Sequence, residues 1–230
     1  MRRLCSSLAV ALIVAPAIAS AQQMDESVRK VTDGGVKVPG WVGQLDPNAK
    51  ETVSDAKLTM EGKNFHVMTG PAIGYFNPAN KASGDYTVKG TFTEKEYMGL
   101  NNHPHPYGIA IGGNDIGTPN ATYLYCTAYG DGTYIMRGFG PAPFKVGNAR
   151  PTANAAIHKA AGKGQPVTQE IAVTVKGDQV SCAINGTTVG TASKADVVGT
   201  GKLKSLDGLY GFRFAHNTEG DVAGFAMTKP

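Results

Sequence analysis

Along most of the chain apolar and polar residues alternate with a period of two, and no long segment carries an apolar period of 3.6. In GDYTVKGTFT, Tyr86, Val88 and Phe92 fall on one face, and Thr87, Lys89 and Thr91 on the other. Ile171, Val173 and Val175 alternate in the same way, and after Gly177-Asp178 so do Val180, Cys182 and Ile184. Asn185-Gly186 is a hairpin signal, because a type I′ turn needs positive φ at both central residues. Asp131-Gly132 marks another hairpin, between ATYLYCTAY and TYIMRGF, and the runs DGLYGFRFA and DVAGFAMTK continue the alternation to the C-terminus. Short strands at this spacing predict an all-β fold of two antiparallel sheets packed as a sandwich. Two segments break the pattern. TANAAIHKAAGKG, residues 152–164, predicts a loop with a short helical turn stopped by Gly162 and Gly164. The chain up to about Asn48 reads as irregular, with Trp41 packing onto the sandwich.

The first residues change the picture of where the protein works. MRRLCSSLAVALIVAPAIASAQQ has a basic start at Arg2 and Arg3, an apolar run from Leu8 to Ala15, and the small residues Ala19 and Ala21. This pattern predicts a signal peptide over residues 1–21, processing between Ala21 and Gln22, and export to the periplasm or the extracellular space. Cys5 precedes the apolar run, so it is not placed as a lipoprotein cysteine. Residues 22–230 suffice for one β-sandwich domain, and they hold no apolar stretch long enough to span a bilayer. The formal net charge is +4, two of the positive charges belong to the leader, and no segment clusters Lys and Arg. A nucleic-acid partner is therefore not expected.

The segments GWVGQLD, VMTGPAIGYFNPANKASGDYTVKGTF, HPYGIAIGG, TYLYCTAYGDGTYIMR, AINGTTV and GLYGFRFAHN resemble a group of uncharacterised secreted bacterial proteins. That group has a concanavalin A-like (laminin G-like) jelly-roll sandwich, similar in outline to the domain labelled a 3-keto-disaccharide hydrolase. The resemblance covers nearly all of residues 22–230 and implies the fold. It implies no single activity, because the superfamily includes lectins, glucanases and adhesion modules. Cys126 and Cys182 stand where the family has hydrophobic or aromatic residues, which adds weight to a disulfide between them, with two free buried thiols as the alternative.

Candidate chemistry is sparse. Hydrolysis of a glycoside needs two carboxyl groups facing each other across the bond. Sandwich glucanases carry them as Glu-x-Asp-x-x-Glu on one strand. The one Glu-x-Asp here is Glu219-Gly220-Asp221, with Gly224 where the second Glu should be and Glu219 expected in a turn. Glu94 and Glu96 share a strand face beside Lys95 and read as a solvated tip. No catalytic residue is assigned. In NNHPHPYGIAIGG, His103 and His105 point the same way along an extended chain and could face one ion, line a pocket mouth, or belong to a plain surface loop. Zinc would need a third protein ligand. His66, His158 and His216 are scattered, so no metal site and no cofactor is assigned. Calcium occurs in the superfamily, with Asp115 and Asp221 as the candidate ligands here.

The strongest functional signal is a strand face. If Tyr129 opposes Thr133 across the Gly130–Gly132 turn, Tyr125 opposes Arg137, and Tyr123, Tyr125 and Arg137 share the face opposite Leu124, Cys126 and Met136. Arg213 lies with Gly211, opposite Phe212 and Phe214, and Gly108, Ala110, Gly112 and Gly211 would leave room above the backbone. Tyr123, Tyr125, Arg137 and Arg213, with His105 at the edge, are the candidate ligand-binding residues. Aromatic rings stack on sugar C–H faces, and guanidinium forks bind hydroxyl or acidic groups. The expectation is an exported, non-catalytic module that binds a glycan or another cell-surface ligand. The alternatives are a hydrolase-like enzyme and a purely structural exported domain.

Overall fold

The computed structural model describes residues 28–230. The expected signal peptide and its processing site lie outside the described residues. In chain order the strands are β1 (Gly35–Val36), β2 (Val42–Leu45), β3 (Ala56–Glu61), β4 (Asn64–Thr69), β5 (Ile73–Ala82) and β6 (Tyr86–Glu94). Then come β7 (Tyr107–Asn114), β8 (Thr122–Ala128), β9 (Thr133–Phe139), β10 (Pro143–Val146) and β11 (Thr152–Ala153). The last strands are β12 (Val167–Lys176), β13 (Gln179–Ile184), β14 (Thr187–Ser193), β15 (Gly208–Phe214) and β16 (Glu219–Thr228). One α-helical turn, α1 (Lys194–Val197), is capped by Ser193, whose side chain accepts from the Asp196 N–H.

The strands form two sheets, ordered β1-β3-β4-β16-β6-β12-β13-β14 and β10-β9-β8-β7-β15-β5-β2. Apart from the parallel pair β1–β3, the named strand pairs are antiparallel. This is the two-sheet sandwich that the alternation predicts. Its core takes every second residue of both sheets: Val88 and Phe92 of β6, Ile171, Val173 and Val175 of β12, Ile109 and Ile111 of β7, and Phe212 and Phe214 of β15. Trp41 packs against Phe65, Phe212 and Phe225 with ring centroids 4.7–6.0 Å apart. Cys126 of β8 and Cys182 of β13 form a disulfide across the core, with Cα atoms 6.2 Å apart, and it joins one sheet to the other. No helix among the described residues is long and apolar enough to cross a membrane.

Two expectations need correction. The chain before Asn48 is not irregular throughout, because β2 pairs along β5 and extends the second sheet. Residues 152–164 hold the short strand β11, paired with β9, and an isolated bridge between Asp131 and Lys159 in place of a helical turn. Ile157 of this segment is buried in the core, so an apolar anchor and strand pairing override the local alanine-rich propensity.

Candidate functional site

The β8–β9 register is the one the turn predicts: Tyr125 lies opposite Arg137 and Tyr123 opposite Phe139. Parity sends Tyr123, Tyr125, Arg137 and Phe139 to the outer face of the second sheet, away from Leu124, Cys126 and Met136. Arg213 of β15 reaches the same face, with its guanidinium carbon 4.7 Å from the Tyr125 ring centroid and 5.6 Å from that of Phe139.

This face is not the open platform with a glycine floor that the sequence suggests. Phe76, Ala110, Tyr123, Tyr125 and Phe139 form a second apolar cluster of their own, and Tyr123 is only 1 % exposed. Phe76 fills the space above the small residues, with its ring 5.3 Å from that of Tyr123. A Cβ at Gly211 would lie 2.1 Å from the Tyr75 carbonyl oxygen and 2.8 Å from the Phe76 ring, so this glycine permits close packing and leaves no room for a ligand. Tyr125, Arg213 and His105 are buried as well. Burial raises the Tyr125 phenol above its usual range, against the nearby charges of Arg213 and Arg137.

The residue missed at this face is Asp46. It follows directly after β2, and its carboxylate accepts from Arg213 Nη2 in an ion pair. The Tyr123 hydroxyl stands 3.5 Å from the same carboxyl group. A buried guanidinium needs such a partner, because an uncompensated charge here would cost several kcal/mol. An isolated Arg213 on an apolar strand could have signalled a missing acid, but nothing local points to residue 46.

What remains open is a cleft of about 410 Å³ beside this layer, lined by Asp46, His103, His105, Tyr125, Tyr129, Arg137, Arg213 and His216 among others. Four of the five sequence-predicted residues thus meet in one cavity. Tyr123 instead lines a neighbouring cleft of about 480 Å³, and Asp46 and Phe139 border both. Arg137 is half-buried, and its Nη2 donates to the Ala149 carbonyl at 3.1 Å. The buried Nε atoms of Arg137 and Arg213 have no hydrogen-bond partner.

The third histidine comes from the sheet register. In the β7–β15 pair, Tyr107 lies opposite Phe214, and the Ala215 N–H donates to the Pro106 carbonyl at 2.9 Å just beyond the strands. Continuing that antiparallel register sets His216 opposite His105. His103 Nε2 is 2.8 Å from His105 Nε2, and the ring centroids of His105 and His216 are 4.2 Å apart. The sequence expectation that nothing brings a third histidine near the pair is therefore corrected. Burial pulls the pKa of His105 down to about 3, helped by the charges of His216 and His103, so this imidazole is neutral.

The other candidates are engaged elsewhere. Asp115 pairs with Lys204. Asp221 lies 2.8 Å from His66 and 3.3 Å from Lys95. Glu219 begins β16 rather than sitting in a turn, and it pairs with Arg29 at 2.7 Å. Glu94 is not a solvated tip. It is 3 % exposed, its Oε2 has no partner, and burial, with a smaller push from Asp131, raises its pKa to about 7.

No family model matches the chain, and no curated protein matches it in sequence. Solved structures resemble it in fold. A protein of unknown function with a galectin-like fold from Bacillus subtilis is 13% identical over 82% of this chain and 89% of that one, with a TM-score of 0.55. The carbohydrate binding module CBM66 from Bacillus subtilis is 8% identical over 85% of this chain and 99% of that one, with a TM-score of 0.46. Sheep galectin-11 is 14% identical over 64% of this chain and 92% of that one, with a TM-score of 0.41. The likeness is one of fold: the chain is an all-β jelly-roll sandwich of two antiparallel-dominated sheets.

Proposed function

We propose that the protein is an exported, non-catalytic module that binds a carbohydrate in the cleft between Tyr125, Tyr129, Arg137 and the histidine loop. The observation that carries this reading is the chemistry of the cleft wall. It brings together two tyrosines, two guanidinium groups and three imidazoles, a set suited to ring stacking and to directional hydrogen bonds with hydroxyl or carboxylate groups. Among the described residues lining it, Asp46 is the single carboxylate, and it is held by Arg213. A two-carboxylate hydrolytic mechanism has no pair to use in this cleft, which favours binding over glycoside hydrolysis. The disulfide between the sheets suits an oxidising compartment and agrees with the signal-like leader.

A glycan array followed by calorimetry tests the proposal. Arg137→Ala removes a half-exposed donor group and weakens binding of the array-selected glycan by about 2 kcal/mol, since hydrogen bonds to charged groups contribute about 1.5–3 kcal/mol. Tyr125→Phe keeps the ring and the fold, and loses less. A wild-type protein that binds no glycan, or an Arg137→Ala variant that binds as tightly, would shift the assignment to the structural alternative.

A further inference from the structure

We infer that His103, His105 and His216 form a binding site for a nitrogen-preferring divalent transition-metal ion such as zinc, with an exchangeable coordination position facing the cleft. The inference does not depend on which ligand the cleft takes. The ligating nitrogens of the three side chains all lie within 4.8 Å of one another. Tetrahedral zinc with Zn–N bonds of 2.0–2.1 Å places its ligand nitrogens about 3.3 Å apart. His103 Nε2 and His105 Nε2, at 2.8 Å, stand slightly closer than that, so small ring rotations suffice to admit an ion. Among the described residues this group holds three imidazoles and no carboxylate or thiolate, the composition of an open site in which water or a bound molecule completes the shell.

The loops that carry these side chains are fixed by groups other than the histidines. Pro104 and Pro106 flank His105 and restrict its backbone. Next to His216, the buried Asn217 donates to Asn101 Oδ1 at 2.8 Å and so ties one histidine loop to the other. Asn217 Oδ1 accepts from the Arg29 N–H at 2.6 Å. The Thr69 hydroxyl donates to the Ala215 carbonyl at 2.6 Å and accepts from the Thr218 N–H at 2.9 Å. Both sides of the cluster are thus anchored in buried hydrogen bonds, the preorganisation that a metal site requires. The second group of potential ligands, Glu61, His66 and Asp221, has one imidazole and two carboxylates, and Lys95 already stands 3.3 Å from Asp221 and 3.7 Å from Glu61 as its cation. It serves as the internal control.

The test uses the full chain without a histidine tag, stripped with chelator and titrated with zinc by calorimetry, and with cobalt(II) by visible absorption. The expected result is one equivalent of zinc with a Kd of about 1 μM or below, together with the visible bands of a low-coordinate cobalt site. His103→Ala and His216→Ala each weaken zinc binding at least ~100-fold and abolish the cobalt bands, whereas His66→Ala changes neither. Circular dichroism confirms that each variant is folded. If His216→Ala misfolds, His103→Ala decides alone. Failure of the wild type to take up one equivalent, or retention of zinc and cobalt spectra by the folded His103→Ala variant, overturns the inference. Because no glycan enters the titration, this outcome is independent of the array result.

Discussion

The second sheet has two faces, and both are packed with aromatic residues, yet they do different work. The inner face gives Tyr75, Phe212 and Phe214 to a core closed by the first sheet and crossed by the Cys126–Cys182 bridge. The outer face gives Phe76, Tyr123, Tyr125 and Phe139 to a smaller layer that no sheet among the described residues covers. This outer layer accommodates the Arg213–Asp46 ion pair and is bordered by two clefts. The inner face is apolar where the sheets meet. The outer face can keep charge because water and a partner carboxylate are within reach. One strand, β15, serves both through parity alone: Phe212 points inward and Arg213 outward.

Paired truncations put numbers on this contrast. Phe212 is fully buried and packs against the rings of Trp41, Phe65, Tyr75 and Phe225. Phe212→Ala is expected to cost about 3–5 kcal/mol. Phe139 borders both clefts, so water can relax a cavity there, and Phe139→Ala is expected to cost about 2 kcal/mol. Equal losses in urea titrations would show that the outer layer is as closed as the core. The disulfide belongs with Phe212 in size. It links residues 56 positions apart, and its reduction is expected to remove about 4 kcal/mol in the chain-entropy account. Alkylation under denaturing conditions without reductant should add no label to Cys126 or Cys182, and a reductant should lower the urea midpoint.

The same contrast explains what was legible in the sequence. Strand parity and turn chemistry are local, so the Tyr125–Arg137 pairing and the separation of the two faces could be read directly. Burial of the outer face could not, because it depends on Phe76 from β5, whose neighbour β15 lies far away in the chain. Asp46 is further out of reach, since its partner Arg213 is 167 positions away. His216 is an intermediate case. It follows from extending the Tyr107–Phe214 register by two residues, but that step requires knowing that β7 and β15 are neighbours. Glu94 was misleading for a different reason. A strand end beside Lys95 looks solvated until the turn at Gly130 and the ring of Tyr97 close over it.

Glu94 is also where the contrast between the faces can be broken, because it is an ionisable group on the core side of β6. Its alternating companions Tyr86, Val88 and Phe92 are core residues, and its Oε2 has no hydrogen-bond partner. Burial is the main cause of its rise to about 7, Asp131 adds to it, and a backbone hydrogen bond from Met98 opposes it. The sign follows from linkage. A carboxyl group whose pKa is higher in the folded than in the unfolded chain binds more protons when folded. Its contribution is fully present below the unfolded value near 4.5 and is lost as pH rises through about 7. Glu94→Gln keeps the shape and an acceptor for Met98 but carries no charge at any pH. The variant should match the wild type at pH 4 and exceed its stability at pH 8 by on the order of 2–3 kcal/mol. Urea titrations of both proteins at the two pH values measure this directly, and the difference between them cancels the other titrating groups. A gap that stays constant with pH would mean that water reaches the carboxylate, and that the inner face tolerates charge on the same terms as the outer one.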